Sequence, residues 1–246
     1  MTTVAGDPSR CGQLDAAGNQ AVMSDVRGMA FYNGLLYFVD GNMATLRQVD
    51  PTSGQVTTLA GQTPNDNSST GYSCSTNLCC GNTMGGAPMN SPRYMASDNS
   101  GSLFIIDTNG SAILRYDTIG AGLFTIVSGV GYVDGVGSAV RMDRPRGITS
   151  DGTSVYFGEQ DENTIRQVEI GTATTSTFVG VRGCAGPLNL SGASGGDGTQ
   201  SWAGNCSAAA VSGKPQFATG AVSLSFDYGT KSIYAIATGN RLLRIE

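Results

Sequence analysis

A short strand pattern occurs four times along the chain, and it limits the folds open to this sequence more than any other feature. In each copy a short apolar strand is followed, after a gap, by a second strand that carries an arginine. The last residue of the first strand precedes the arginine by seven, eight, seven and seven positions. The apolar strands lie at 36–40, 103–107, 155–159 and 233–237, and the arginines are Arg47, Arg115, Arg166 and Arg244. The nearly constant spacing indicates a structural repeat.

Two further columns extend the repeat to four strands. A short strand lies upstream of each pair, at 27–30, 93–96, 146–149 and, more loosely, 220–223. A threonine-rich strand that ends in glycine lies downstream, at 57–61, 125–129 and 176–180. Four strands rich in β-branched and aromatic residues, separated by Gly, Asp, Asn and Ser turns, are typical of a β-propeller blade. The sequence therefore predicts an all-β chain that folds as a four-bladed β-propeller.

The fourth repeat stops at Glu246 after its third strand, and residues 2–6 match the threonine-rich column. We therefore expect the N-terminal strand to close the last blade, which would hide two sheet edges. The prediction is a single propeller domain over residues 1–246, with repeats at 7–61, 62–129, 130–180, and 181–246 plus 1–6. Two alternatives stay open. The repeats could belong to a longer array, or the N-terminal strand could complete a blade of a neighbouring molecule.

Residues 133–148 contain a glycine-rich loop that runs into a Pro-x-Gly-hydrophobic strand. Together with the Tyr-Phe and Ile-Arg strands that follow, this segment resembles the NHL-repeat family of β-propellers. Partial matches to the loop occur at 17–21, 85–89 and 196–199, so nearly the whole chain takes part. The resemblance implies a β-propeller, although members of that family commonly have more than four blades. It implies little about function, because propellers carry binding, scaffolding and enzymatic roles.

The composition excludes several kinds of chemistry. The chain has no histidine, so it cannot build a Ser-His-Asp triad, a histidine-ligated metal site or a histidine general base. Lyases of the NHL type that use histidine-bound zinc therefore cannot be its model. A net charge of -5, with only Lys214 and Lys231 as lysines, disfavours nucleic acid as a partner. No apolar run is long enough to predict a transmembrane segment.

The repeats are longer than a compact blade, and the excess lies between the outer strand of one blade and the inner strand of the next. These lead-in loops, at 7–26, 62–92, 130–145 and 181–219, emerge on one face of a propeller, here called the elaborated face. All six cysteines fall in them, namely Cys11, Cys74, Cys79, Cys80, Cys184 and Cys206. An even number without a CxxC pair favours disulfides and an oxidising, extracytoplasmic compartment.

The best single disulfide pairing is Cys184 with Cys206, because they are the only cysteines in their loop. Either Cys74 pairs within its own loop and Cys11 takes the remaining partner, or another connectivity holds. A thiolate nucleophile or a thiolate metal site is the functional alternative.

Other candidate residues receive structural interpretations. The four repeat arginines are expected to pair with acids or carbonyls between blades; a ring of arginines around one anion is the alternative. Glu159, Asp161 and Glu162 are interpreted as a solvated acidic turn. Asp134-Gly135 and Asp197-Gly198 are interpreted as turns, since no loop has the alternating acids of a calcium site. Candidate glycosylation acceptors are Asn67, Asn109, Asn189 and Asn205.

The sequence favours a non-enzymatic extracellular or cell-surface propeller that acts as a binding or assembly module through the elaborated face. The expected partners are other extracellular proteins or glycans, together with copies of itself in a homo-oligomer or polymer. No catalytic residue, metal site or cofactor is expected. The competing hypothesis is a secreted hydrolase or lyase with a carboxylate-lined central channel.

Overall fold

The computed structural model describes residues 2–61, 89–159, 161–180, 182, 221–237 and 241–245. Within these residues the chain is nearly all β, and its four sheets are arranged as a four-bladed β-propeller, as the repeat predicts. The chain divides into two compact units, Met1–Gly110 with Leu114–Thr125, and Ser111–Ile113 with Ile126–Glu246. The described helical segments are single 3₁₀ turns, and neither has the length and apolar character that crossing a membrane requires.

The first unit holds blade 1 and most of blade 2, each an antiparallel sheet with its strands in chain order. Blade 1 consists of β1 (Val26–Tyr32), β2 (Leu35–Asp40), β3 (Thr45–Val49) and β4 (Val56–Gly61). Blade 2 consists of β5 (Pro92–Ser97), β6 (Ser102–Asp107), β7 (Ala112–Asp117) and β8 (Gly122–Ser128). Every residue of β6 is buried, which explains why this strand is a continuous apolar run instead of an alternating one.

Strand β1 packs directly against β5 in the first unit. A Cβ atom on Gly28 would lie 2.7 Å from the backbone carbonyl carbon of Tyr94 and 2.7 Å from the backbone nitrogen of Met95. Neither backbone atom can move independently, so only glycine fits where the two inner strands meet. The apolar core beside this contact includes Leu46 and Ile105, both fully buried.

The second unit holds blades 3 and 4. Blade 3 consists of β10 (Pro145–Ser150), β11 (Ser154–Glu159), β12 (Thr164–Glu169) and β13 (Thr174–Gly180), and a short strand, β9 (Gly135–Val136), pairs with the outer edge of β13. Blade 4 consists of β14 (Ala221–Asp227), β15 (Ser232–Ala237) and β16 (Arg241–Ile245). Tyr156 and Ile165 from blade 3 share one apolar cluster with Leu224, Ile233 and Ile245 from blade 4. This cluster joins the two blades.

The N-terminus differs from the expectation that it closes the last blade. Residues 2–5 form no strand, and the described part of blade 4 has three strands. Instead, Gly6 donates a hydrogen bond from its N–H to the carbonyl of Gly18, at 3.0 Å, and Asp7 donates one to Ala21, also at 3.0 Å. Gly6 has a φ of 115°, and Gly61 and Gly180, at the ends of two outer strands, have φ values of 98° and 99°. The match between residues 2–6 and the threonine-rich column therefore reflects a shared glycine turn and not a shared strand.

Candidate functional site

The arginine of blade 1 holds the lead-in loop of its own blade. Arg47 is fully buried on β3. Its Nη1 donates to the carbonyl of Val22, at 2.8 Å, and its Nη2 donates to the carbonyl of Leu14, at 2.9 Å, and to Oδ1 of Asp15, at 2.8 Å. The carboxylate of Asp15 also accepts hydrogen bonds from the N–H and the hydroxyl of Thr58 on β4. We call this set of arginine, loop aspartate and outer-strand threonine an arginine clamp.

Blade 3 repeats the clamp with equivalent residues. Arg166 is fully buried and donates to the carbonyls of Arg141 and Val133, both at 2.7 Å, and to Oδ1 of Asp134, at 2.8 Å. Asp134 in turn accepts from the N–H and hydroxyl of Thr177 on β13. In both blades the pairing between the third and fourth strands shifts register at the arginine. The partners belong to the same repeat, whereas the sequence interpretation placed them between blades.

The lead-in loops before the other two repeat arginines lie mostly outside the described residues. Nε of Arg115 is buried without a hydrogen-bond partner among the described residues, and so is Nε of Arg47. Arg244 is exposed, and its Nε donates to the hydroxyl of Ser232, at 3.0 Å. Arg47 and Arg166 are buried and bonded to their own lead-in loops, so neither is available to a ring of arginines around one anion.

A second recurring group went unrecognised in the sequence: the acid that ends each second strand. Asp40 accepts hydrogen bonds from the N–H groups of Ser24 and Asp25. Asp107 accepts from the N–H groups of Asn90 and Ser91 in blade 2. These acids fix the point where the lead-in loop enters the inner strand. The signal was present, because an acid ends the second strand in three of the four repeats.

Glu159 is the corresponding acid of blade 3, and the structure corrects its interpretation as part of a solvated turn. It is fully buried, accepts from the N–H of Asp143 at 2.8 Å, and pairs with Nη1 of Arg166 at 3.2 Å. Burial raises the pKa of Glu159 to about 7, although Arg166 and the N–H of Asp143 act in the opposite direction. Its neighbours Asp161 and Glu162 form ion pairs with Arg144 and Arg182, respectively.

The cysteines and glycosylation candidates fall mostly outside the described residues. Cys11 forms no disulfide with a described residue, and its sulphur lies 3.8 Å from the hydroxyl of Ser24. The disulfide prediction for the other five cysteines lies outside the described part of the chain, as do three of the four sequons. Asn109 is exposed in the turn between β6 and β7, so its side chain is accessible for modification.

A half-open cleft lies between blades 3 and 4, and sequence reasoning did not identify it. Its volume is about 330 Å³, and its lining residues are Asp151, Thr153, Tyr156, Phe178, Phe226, Lys231, Ile233 and Ile245. Strand β10 starts beside lead-in loop 130–145 and ends beside the turn that carries Asp151. The cleft therefore lies at the opposite end of the blade from that loop, away from the elaborated face.

Aromatic rings and buried aliphatic side chains shape the cleft. The ring of Phe178, which is 38% exposed, meets the ring of Tyr156 edge-on at a centroid distance of 5.0 Å. The ring of Phe226 meets that of Tyr228 at 5.0 Å and a right angle. The ammonium of Lys231 lies 5.8 Å from the centre of the Tyr228 ring. Ligand pockets are typically lined in this way, with aromatic walls and a small number of polar groups.

The polar groups at the rim are tied into one turn. The carboxylate of Asp151 accepts four hydrogen bonds, from the N–H and hydroxyl of Thr153, the N–H of Ser154 and the hydroxyl of Tyr156. Burial alone would raise the pKa of Asp151, but the hydrogen bonds from Ser154 and Thr153 outweigh burial and lower it. Burial, and then the bond to Asp151, raise the pKa of Tyr156 to about 12. Neither group is therefore poised to exchange a proton near neutral pH.

Comparison with known proteins identifies the fold. No protein-family model matches the chain, and no curated protein matches it by sequence. An auxiliary nutrient binding protein from Bacteroides thetaiotaomicron VPI-5482 matches with a TM-score of 0.60 and 17% identity, over 98% of this chain and 54% of that one. A second auxiliary nutrient binding protein, from Bacteroides ovatus ATCC 8483, matches with a TM-score of 0.57 and 14% identity, over 98% and 56%.

A nidogen/laminin complex matches with a TM-score of 0.53 and 14% identity, over 89% of this chain and 60% of that one. The chain thus spans between 54% and 60% of the length of these three structures. At such low identity the likeness shows a β-propeller fold and nothing finer. Membership of the NHL-repeat family stays a prediction.

Proposed function

We propose that this chain is a non-enzymatic binding module of an extracellular or cell-surface protein, and that the cleft between blades 3 and 4 is its ligand site. The observation that carries the proposal is the cleft itself. Aromatic walls, one lysine and a rim turn border a half-open volume of about 330 Å³, near the lower bound of small-molecule pockets. The names of the two nutrient-binding structures agree with a binding role for this fold.

The hydrogen bonds of the cleft favour binding over catalysis. A general base needs a pKa near the working pH, but the hydrogen bonds from Ser154 and Thr153 lower the pKa of Asp151. A general acid or nucleophilic phenol at Tyr156 is disfavoured by a pKa of about 12. The cleft can therefore hold a ligand, but it offers no ready proton donor or acceptor to transform one.

The test is a screen of small-molecule fragments by ligand-observed NMR with three proteins: the natural sequence, Phe178→Ala and Phe124→Ala. Phe124 is a matched control, because it is also an exposed phenylalanine on an outer strand but lies on β8, in blade 2. We expect fragments whose signals are lost with Phe178→Ala and kept with Phe124→Ala, without conversion on prolonged incubation. If no fragment depends on Phe178, or if bound fragments are converted, the proposal is wrong.

Assembly through the elaborated face is the other part of the proposed role. Light scattering coupled to size-exclusion chromatography, on natively purified protein, measures it directly. A stable monomer of 25.2 kDa at all concentrations would contradict assembly and leave ligand binding in the cleft unaffected.

A further inference from the structure

The hydrogen-bonding capacity left over in the cleft specifies the kind of ligand that it can accept. Asp151 receives four donors, three at Oδ1 and one, the hydroxyl of Tyr156, at Oδ2, so Oδ2 keeps one acceptor position. The hydroxyls of Thr153 and Tyr156 have each given their single proton to Asp151, at 2.8 Å and 3.0 Å. Their oxygens retain lone pairs, so both hydroxyls can accept a hydrogen bond from a ligand but cannot donate one.

Lys231 supplies the opposite capacity. Its ammonium has three N–H donors and forms no ion pair with any described residue. The ammonium lies against the face of Tyr228, and the residue lines the cleft. The rim thus combines two acceptor hydroxyls and one acceptor position on Asp151 with one charged donor.

The walls require a ligand with an apolar face. Phe178 and Phe226 present aromatic rings, and Ile233 and Ile245 are buried aliphatic side chains beneath them. A ligand that is polar on every side would leave these surfaces poorly covered. The ligand must therefore present C–H groups on one side and hydroxyl groups at its edge.

We infer that the cleft binds one ring of a neutral carbohydrate, an inference that rests on the proposed function. A pyranose ring carries C–H groups that stack on aromatic faces, and hydroxyls that both donate and accept. Its hydroxyls donate to the oxygens of Thr153 and Tyr156 and accept from Lys231. An organic anion would use Lys231 alone, leave both hydroxyl oxygens without donors, and bring a negative charge close to Asp151.

The test measures binding of defined probes by saturation-transfer NMR and calorimetry. The neutral probes are methyl glycosides of glucose, galactose, mannose and N-acetylglucosamine, together with an array of neutral oligosaccharides. Benzoate is the anionic probe, and N-acetylphenylalanine amide stands for an aromatic peptide side chain. We expect at least one neutral sugar to bind, with an affinity unchanged between low and high salt because no net charge is exchanged.

Two variants locate the bound sugar, and Phe124→Ala serves again as the control. Phe178→Ala removes one stacking surface and is expected to weaken binding by about tenfold. Lys231→Asn removes the charged donor and is expected to weaken it by about tenfold or more. Asparagine is chosen because Lys231 has a φ of 57°, a left-handed conformation that asparagine tolerates.

The possible outcomes distinguish a failure of the carbohydrate inference from a failure of the proposed function. If benzoate or the phenylalanine amide binds in a Phe178-dependent manner and no neutral sugar does, the carbohydrate inference is overturned and the binding module stands. If a sugar binds but is insensitive to both Phe178→Ala and Lys231→Asn, the inference is likewise overturned. If neither these probes nor any fragment depends on Phe178, both the inference and the proposed function are wrong.

Discussion

Replacing Arg47 by methionine tests whether the arginine clamp holds the lead-in loop of blade 1. Methionine keeps much of the length and apolar volume of the side chain but removes all its donors. The substitution leaves the carbonyls of Val22 and Leu14 without these partners. Arg244→Met is the matched control, since it changes the same repeat position where the arginine is exposed.

The expected loss of stability follows from the contacts. The carbonyls of Val22 and Leu14 each keep one backbone donor, because the two residues bond to each other at 3.1 Å. The loss is therefore that of two hydrogen bonds from a charged group, at about 1.5–3 kcal/mol each. Asp15 loses an ion pair but is 38% exposed and keeps its bonds to Thr58, so its charge adds little. The sum agrees with the roughly 3–5 kcal/mol typical of removing one partner from a buried polar network. For Arg244→Met we expect at most about 0.5 kcal/mol.

Urea denaturation followed by far-UV circular dichroism measures the free energy of unfolding, and calorimetry measures the melting temperature. For a chain of this size, about 3–5 kcal/mol corresponds to a decrease of roughly 6–20 °C in Tm. The two compact units can unfold in separate steps, so the comparison uses the transition that Arg47→Met shifts. A loss below about 1 kcal/mol, or one no larger than that of Arg244→Met, would refute the clamp as a source of stability.

Three further predictions concern other parts of the protein. The pKa of Glu159 is raised to about 7 from an ordinary 4.5, so the folded state holds the proton of this carboxyl more tightly than the unfolded state does. The contribution of Glu159 to stability is therefore full below pH 4.5 and declines by up to about 3 kcal/mol as the pH rises towards 7. Urea titrations across this pH range should show a weaker decline for Glu159→Gln. Gly28→Ala should cost about 1–3 kcal/mol in the same unfolding assay, because the added Cβ would meet the backbone of β5. Gly171→Ala is the control and should be nearly neutral, because a Cβ at Gly171 meets nothing within 4 Å. Equal effects of the two substitutions would contradict the close contact between β1 and β5. Peptide mapping without reduction should recover a disulfide between Cys184 and Cys206, and alkylation of both thiols in unreduced protein would contradict that pairing.

The repeat predicted the strands well because a blade is built from local patterns. Apolar runs, threonine-rich strands and glycine turns each report on a few neighbouring residues, so their positions can be read from the chain. The arginines were visible for the same reason. Their partners were not, because Val133 and Arg141 lie 33 and 25 positions before Arg166, and only the path of the lead-in loop brings their carbonyls to it.

The cleft could not be predicted for a related physical reason. Its walls come from two blades, and Phe178 and Phe226 are far apart in the chain. In sequence, aromatic residues within strands are most simply interpreted as core, and the buried Phe104 of blade 2 fits that interpretation. What distinguishes Phe178 is its partial exposure beside a rim turn, which depends on the packing between blades 3 and 4. The long loops suggested binding at the elaborated face, which lies at the opposite end of the blade from the cleft.

The two ends of blade 3 use their polar groups in opposite ways, and this difference separates stability from recognition. At the loop end, Arg166 directs its donors to carbonyls and carboxylates of its own repeat, and Glu159 is likewise bonded within the blade. At the cleft end, Lys231 forms no ion pair with a described residue and the hydroxyl of Tyr156 can still accept a bond. A change at Arg166 should therefore lower stability with little effect on ligand affinity in the folded protein. Phe178→Ala should lower ligand affinity by more than it lowers stability, because the exposed part of the ring contributes only when a ligand covers it.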